Sequence, residues 1–238
     1  DDAINILDSN IVYSFQNDDY FVGANMSVFE DLNKENRDRY EYLAPITFEK
    51  NIISGGELGV VDLKSNIRFR NYDVNKQTEF FVNDFNWKSN KWLSKLGLEN
   101  NFEGLIKTSN YKASNTSEFK TQSTNSEVSG VLALVTKLGL YKNDLLSKNI
   151  YSLTPKVSLR FAPGHMRDID QGANSLKYSN LFDLNKLNEI DVIENGLSTA
   201  IGFNFKKNEI KGNKSLGKEK LSFSLGQIIN DRENSDMP

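Results

Sequence analysis

The sequence of 238 residues contains no cysteine and only one histidine, His165. Without cysteine, neither a disulfide framework nor thiolate metal or redox chemistry is available. A single histidine without cysteine makes no metal site, and no Ser-His-Asp triad can be assembled around it from the sequence. We therefore expect no catalytic residue, no metal site and no cofactor, and we predict that the chain is not an enzyme.

Long apolar runs are also missing. No window of about 18 uncharged apolar residues occurs, so the sequence predicts no transmembrane helix. The hydrophobic content of 38% and the mean hydropathy of -0.53 are low for a helical membrane protein. A transmembrane β-strand needs only about 10 residues, half of them facing a polar lumen, so the same composition is compatible with a membrane barrel.

The charges show no strong bias of sign or position. The 29 basic and 32 acidic residues are mixed along the chain and give a net charge of -3. No basic stripe of the kind that follows a phosphate backbone occurs, so nucleic acid is not an expected partner. The N-terminus lacks the basic and apolar segments of an export signal. We expect both ends to be cuts within a longer protein. The lack of an export signal in this chain then says nothing about localisation.

What the chain does contain is alternation of apolar and polar residues. It is clearest in residues 197–206, where one set of alternate positions holds Leu197, Thr199, Ile201, Phe203 and Phe205. A period of two is the signature of a β-strand with different surroundings on its two faces. In a soluble sandwich the polar face meets water, and in a membrane barrel the apolar face meets lipid. Periodicity alone does not choose between these two folds.

Similar runs recur along the whole chain. They cover residues 7–15, 20–28, 43–49, 57–72, 80–87, 93–107, 128–141, 150–162, 197–205 and 218–229. The runs predict roughly 10 antiparallel strands and an all-β, up-and-down fold, with a hairpin formed by the first two. Between them we expect a solvated loop at residues 30–41 and a long polar loop at 108–127. Pro45 is expected at a strand end or on an edge strand.

Residues 180–196 carry the most specific motif. It consists of Asn180-Leu181-Phe182, then Leu184-Asn185-Lys186-Leu187, then Asp191, Ile193, Glu194 and Gly196 directly before a strand. This pattern resembles the barrel domain of the LPS-assembly protein family, LptD, formerly called the organic solvent tolerance protein. Glu189, Val192 and Asn195 differ from the family pattern. Shorter similarities occur at residues 17–21, 153–157, 225–227 and 231–234.

The resemblance implies that residues 1–238 form one section of a large transmembrane β-barrel of the outer membrane. An N-terminal jelly-roll domain and the remaining strands would lie outside this chain. The resemblance further implies a plug lipoprotein similar to LptE as partner, and delivery of lipopolysaccharide by a periplasmic bridge. The sugars of the lipid would pass through the lumen, while its acyl chains would leave sideways into the membrane lipid.

Four cations are expected on polar strand faces, where the resemblance makes lipid A or core phosphates their ligands. These candidate lumen cations are Arg68, Arg70, Lys156 and Arg160. Ordinary lumen polarity, with carboxylates such as Asp62, Glu79 and Asp84 nearby, is the simpler interpretation, because such charges are usually just solvated.

Two alternatives to a lipid-translocation barrel stay open. A soluble or surface-exposed all-β binding module would fold as two packed sheets. An outer-membrane hydrolase would require a serine, histidine and carboxylate constellation on strand ends. Asp191 and Glu194 are expected to belong to a structural turn rather than to act as acid and base, because no nucleophile or pocket that would raise a pKa accompanies them.

Overall fold

The computed structural model describes residues 5–119, 124–144, 146–164, 166–167, 176–187, 189–211 and 215–231. Its strands are β1 (Ile6–Gln16), β2 (Tyr20–Asp31), β3 (Tyr40–Ser54), β4 (Val60–Tyr72), β5 (Lys76–Lys88), β6 (Trp92–Leu93), β7 (Glu99–Ser114), β8 (Asn125–Lys137), β9 (Leu140–Asp144), β10 (Asn149–Ala162), β11 (Gly196–Lys211) and β12 (Ser215–Asn230). One 3₁₀-helix covers Asn36–Arg39. No helix in these ranges is long and apolar enough to cross a membrane.

The strands form one sheet whose spatial order follows the chain. The order is β1-β2-β3-β4-β5-β7-β8-β10-β11-β12, and the short strands β6 and β9 pair with β7 and β10. Antiparallel pairing joins β1 with β2, β2 with β3, β3 with β4, β6 with β7, β8 with β10, β9 with β10, β10 with β11 and β11 with β12. The predicted all-β, antiparallel up-and-down fold is therefore confirmed, and the ten strands along the sheet match the ten runs of alternation. In the part of the chain that the structure describes, the sheet does not close on itself, as expected of a partial barrel.

The first hairpin forms where the alternation predicts it. Strands β1 and β2 pair from Ile6 with Asp31 to Gln16 with Phe21. In the turn, the side-chain oxygen of Asn17 accepts hydrogen bonds from the backbone N–H groups of Asp19 and Tyr20, at 2.9 and 2.8 Å. Asparagine favours tight turns because its short side chain bonds the backbone two or three residues on.

The expectation for Pro45 was wrong. Pro45 lies inside β3, between β2 and β4, and is paired with Arg68 of β4. On the other side, the pairs between β2 and β3 run from Tyr20 to Ala24 and resume at Ser27, so the ladder is interrupted opposite the proline. A proline has no N–H to donate, and the interruption accommodates it within the sheet.

The polar tract at residues 108–127 is also not a single loop. Strand β7 continues to Ser114 and β8 begins at Asn125, so only residues 115–124 connect them. Within β7, Ser109, Tyr111 and Ala113 are buried while the intervening residues are more exposed. Polar residues on both faces of this strand hide its period of two, which is why composition alone predicts a loop there.

The chain divides into two compact units. Unit 1 comprises residues 1–87, 105–129 and 189–192, and unit 2 comprises residues 88–104, 130–188 and 193–238. In unit 1 the core contains Phe80, Val82 and Tyr111, against which Phe119 and Ile190 pack. In unit 2 the core contains Leu181, Phe182 and Ala200, with Tyr178 and Ile228 packed against it.

Each core lies on one face of its strands, which we call the inner face, and the opposite, outer face is apolar and exposed. In β10, Ser158, Arg160 and Ala162 are buried, whereas Val157, Leu159 and Phe161 are exposed. In β5, Phe80 is buried and Phe81 is 45% exposed. Two packed sheets would bury such outer side chains against each other. The described residues form a single sheet instead, so the outer apolar face has no second sheet against it.

The turn between β4 and β5 supplies a test of local strain. Val74 has φ 61° and is exposed. A β-branched residue pays about 1 to 3 kcal/mol for this left-handed conformation, which glycine adopts freely. We expect Val74→Gly to raise the free energy of unfolding by about 1 kcal/mol, because the relieved strain exceeds the stability lost through the entropy that glycine adds to the unfolded chain. Urea unfolding of the protein in detergent micelles measures this change in the free energy of unfolding.

The matched control is Val60→Gly at the start of β4. Val60 lies in a paired strand, so the same substitution there should lower stability by about 0.5 to 1 kcal/mol. A Val74→Gly variant that is destabilised as much as the control would contradict the assignment of strain to this turn.

Candidate functional site

The motif segment packs on inner-face residues, with residues 176–187 and 193–195 in unit 2 and residues 189–192 in unit 1. We call its described residues, 176–187 and 189–195, the inner segment. A turn begins it, in which the side-chain oxygen of Asn180 accepts a hydrogen bond from the backbone N–H of Lys177 at 2.8 Å. This turn presents Leu181 and Phe182 to Ala200 on β11. The rings of Tyr178 and Phe182 meet edge to face, with centroids 5.6 Å apart, and burial raises the pKa of the Tyr178 hydroxyl.

Two glycines make room for this contact. Gly202 of β11 is paired with Gly226 of β12. A Cβ at Gly202 would lie 2.7 Å from the carbonyl oxygen of Leu225 and 3.0 Å from the Tyr178 ring, and a Cβ at Gly226 would collide with Leu181. The glycine pair therefore forms a flat floor on which the first part of the inner segment rests.

Arg160 ties the middle and the end of the segment to β10. Its Nε donates a hydrogen bond to the carbonyl oxygen of Leu184 at 2.7 Å, and one of its terminal nitrogens donates to the carbonyl oxygen of Glu194 at 2.6 Å. On the same strand, the Lys156 ammonium lies 4.3 Å from the centre of the Phe182 ring. Two of the four candidate lumen cations thus hold the inner segment in place.

A buried ionic cluster completes this anchor in unit 2. The carboxylate of Glu194 lies 3.5 Å from the second terminal nitrogen of Arg160 and forms an ion pair with Lys186. All three side chains are buried, at 2–4% exposure. Burial lowers the pKa of the Lys186 ammonium, although the charge of Glu194 opposes this shift. Such a cluster stabilises little in total, but losing one member leaves a charge buried without its counterion.

Residues 189–192 of the segment belong to unit 1, where a different cation holds them. The Lys107 ammonium donates to the carbonyl oxygen of Ile190 at 2.5 Å and lies 2.7 Å from the carboxylate of Asp84. A terminal nitrogen of Arg68 lies 3.8 Å from the carboxylate of Glu189, and the Arg68 guanidinium carbon lies 4.9 Å from the centre of the Phe80 ring. Lys107 is almost completely buried. Sequence reasoning missed this role, because Lys107 is simply a lysine at the end of an alternating run, with no local signal.

The remaining candidate cation is Arg70, also in unit 1. Its Nε donates to the carboxylate of Glu41 at 2.6 Å, and its guanidinium covers the Tyr72 ring at 4.2 Å. The structure therefore places Arg68 and Arg70 on the inner face of unit 1, and Lys156 and Arg160 on that of unit 2. Each of the four has a partner within the protein, and Arg160 is fully engaged in holding the segment.

The other motif residues have structural positions. The side-chain oxygen of Asn185 accepts a hydrogen bond from the backbone N–H of Leu187 at 3.3 Å. Asp191 is buried in unit 1, and Gly196, with φ 102°, opens β11 in a conformation that side chains disfavour. The carboxylate of Glu194 is held between two cations, which is the arrangement of a structural anchor. His165 lies outside the described residues.

A single antiparallel sheet with an exposed apolar face and an inner face crossed by an ionically anchored segment defines a section of an outer-membrane type of β-barrel. The family model LptD, described as LPS transport system D, matches residues 5–238. The chain belongs to the LptD family, a family of outer-membrane transport and assembly proteins, and the resemblance seen in the motif is confirmed. A search of curated proteins found no match.

The buried cluster predicts a large effect of removing its carboxylate. We expect Glu194→Ala to lower the free energy of unfolding by about 3 to 5 kcal/mol, because Arg160 and Lys186 would remain buried without it. Glu209→Ala is the control, since its ion pair with Lys220 is exposed and such pairs contribute about 0 to 1 kcal/mol. Urea unfolding in micelles compares the variants, and equal effects would show that the cluster anchors nothing.

The glycine floor predicts displacement of the segment by a single methyl group. In Gly226→Ala the new Cβ collides with Leu181, so we expect the inner segment to loosen. Lys186 is buried in the unsubstituted protein, so loosening of the segment should make trypsin cleave after Lys186 much faster. Lys177 is exposed, so cleavage after Lys177 is the internal reference, and mass spectrometry measures both. Ser222→Ala, at an exposed position on the same strand, should leave cleavage unchanged. Equal protection of Lys186 in all three proteins would contradict the contact.

Proposed function

We propose that this chain is a section of an outer-membrane β-barrel that assembles lipopolysaccharide into the outer leaflet of the membrane. The observation that carries the proposal is the exposed apolar face of β10, β11 and β12, which lies opposite an inner face that carries charge. Membership of a lipopolysaccharide transport family supports it. Residues 1–238 would be one part of this barrel, and a jelly-roll domain and further strands would complete the protein.

The outer face requires an apolar solvent. Leu159 is 48% exposed, Ile201 48% and Leu225 64%. Burying one large apolar side chain is worth about 1.5 to 3 kcal/mol, so a whole face of them is strongly unfavourable in water. Acyl chains of a bilayer provide that burial, and alternating strands present the same residues to lipid along their length.

The inner face of each unit carries cations suited to the phosphates of a phosphorylated saccharide. Lys156 on β10 and Arg68 on β4 are only partly buried, so their charges lie near the surface of the inner face. We propose that these two cations and Arg70 contact phosphates of the lipid in passing, whereas Arg160 serves the anchor. Charge-assisted hydrogen bonds to phosphate are the interaction that such side chains make best.

The proposed partners are those that the resemblance to the family implies. We propose that a plug lipoprotein similar to LptE occupies the lumen of the complete barrel and that a periplasmic bridge delivers the lipid to the jelly-roll domain. The substrate is lipopolysaccharide, whose acyl chains would travel along the membrane while its sugars stay in the polar lumen. The localisation proposed for the protein is the outer membrane.

Neighbouring residues of β12 test the assignment of the two faces. Leu225 lies on the outer face and Ser224 on the inner face, and both are exposed. Residues 1–238 contain no cysteine, so Leu225→Cys and Ser224→Cys each add a single thiol to this section, and the unsubstituted protein gives the background labelling. In intact outer membranes, we expect a charged aqueous thiol reagent to label the Ser224→Cys variant at least tenfold faster, because lipid excludes charged reagents.

A membrane-soluble maleimide should label the Leu225→Cys variant, which shows that its thiol is reactive. Fast labelling of the Leu225→Cys variant by the aqueous reagent would contradict the proposal. It would favour the alternative of an all-β binding module in water, as would a monomeric protein that stays in solution without detergent.

A further inference from the structure

The outer face of unit 2 changes character along its strands. In the middle of the strands it is apolar and aromatic: the ring centroids of Phe203 and Phe223 are 5.6 Å apart and those of Phe205 and Phe223 are 5.4 Å apart. Two residues beyond Phe205, at the end where β11 turns into β12, a row of cations replaces the apolar side chains. The register of three strands defines this row.

Lys142, Tyr151 and Lys207 form this row, which we call the lysine row. Tyr151 of β10 is paired with Lys142 of β9 on one side and with Lys207 of β11 on the other. Residues paired directly across antiparallel strands project from the same face, so the three side chains stand side by side. The Lys207 ammonium lies 5.6 Å from the centre of the Tyr151 ring. The two lysine backbones are about 10 Å apart, so both ammonium groups can reach one anion between them.

The next row outward is acidic, but its carboxylates have other partners. Asn149 is paired with Asp144 and with Glu209. One carboxylate oxygen of Asp144 accepts hydrogen bonds from the backbone N–H groups of Leu146 and Ser147, and Glu209 lies 3.3 Å from Lys220. Both carboxylates are therefore partly neutralised or hydrogen-bonded by groups other than Lys207.

On the other side of the row lies an apolar groove of about 710 Å³. Its apolar lining includes Leu153, Pro155, Ile201, Phe203, Leu225 and Ile229. From Lys207 to Ile201 the strand covers roughly 20 Å, which is comparable to half of the roughly 30 Å hydrocarbon core. The length of the groove and row together therefore matches one leaflet of a bilayer.

The chain itself indicates which leaflet this is. At the end of the lysine row, β11 and β12 are joined by residues 212–214, whereas at the other end β10 and β11 are joined by residues 163–195. In outer-membrane barrels the short turns are periplasmic and the long loops are extracellular. The lysine row therefore faces the periplasmic leaflet, whose lipids are glycerophospholipids.

We infer that the outer face of β9, β10, β11 and β12 binds a glycerophospholipid, with its phosphate between Lys142 and Lys207 and an acyl chain in the groove. The inference rests on the proposed function, because it requires the outer face to meet a membrane. The Tyr151 ring separates the two ammonium groups and carries a hydroxyl that can donate to the phosphate. Charge complementarity selects the phosphate, and the apolar groove selects the chain.

The test uses the complete protein that carries this chain, in detergent, with native mass spectrometry to measure retained lipid. The probes are phosphatidylglycerol and a diacylglycerol with the same chains but no phosphate. A lysine near a lipid phosphate contributes a factor of about five in binding, so we expect Lys207→Gln to weaken retention of phosphatidylglycerol about fivefold. Lys142→Gln combined with Lys207→Gln should weaken it about thirtyfold, and retention of diacylglycerol should not change.

The control is Lys206→Gln, one residue earlier on the opposite face, where Lys206 pairs with Glu219 at 3.0 Å. It should leave retention of both lipids unchanged. An effect as large as that of Lys207→Gln, or no effect of the double variant, would overturn the inference. Lipid A, which also carries phosphate, is the third probe, and tighter retention of lipid A than of phosphatidylglycerol would overturn the assignment to a glycerophospholipid.

The labelling experiment on Leu225→Cys separates this inference from the proposed function. If that thiol is protected by lipid while the lysine variants retain phosphatidylglycerol normally, only the lipid site is wrong. If the thiol reacts quickly with aqueous reagent, the outer face does not meet lipid, and both conclusions are wrong.

Discussion

The separation of apolar and polar side chains onto opposite faces of one sheet is the constraint on which this structure depends. A barrel strand in a bilayer has lipid on one side and no second core to bury its outer residues. The contacts that anchor the inner segment lie on the inner face, as the Glu194 cluster in unit 2 and the Lys107 contacts in unit 1 do. Along the middle of the strands, an outer residue has only to be apolar.

The inner segment is held by buried ions as well as by buried apolar side chains. Arg160, Lys186 and Glu194 are costly to bury, and buried ion clusters of this kind are often replaceable by apolar residues of similar volume without loss of stability. A buried ion needs a counterion beside it, however, and this restricts where a segment rich in polar residues can lie. We regard this positional role as the physical reason for the cluster, with Leu181 and Phe182 supplying the apolar contact on the glycine floor.

Much of the fold could be predicted because it depends on local patterns. Alternation along residues 197–206 assigned Ile201, Phe203 and Phe205 to the face opposite Gly202, and the structure confirms that assignment. Local patterns mislead where tertiary context overrides local preference. Pro45 is accommodated inside β3 by an interruption of its pairing with β2, and Ser109 is buried on β7 although its neighbourhood is polar. Neither outcome is visible in a single strand considered alone.

By itself, the sequence determined the period of two, which strand face is apolar and which is polar, and the family motif, because each depends on residues close together in the chain. Only the tertiary structure decided which inner residues meet. Lys107 contacts Ile190 across 83 positions, and Arg160 contacts Glu194 across 34. The lysine row also depends on the register of β9, β10 and β11. Local periodicity does not reveal which residues far apart in the chain will meet. These contacts exist only because the pairing of distant strands brings the residues together.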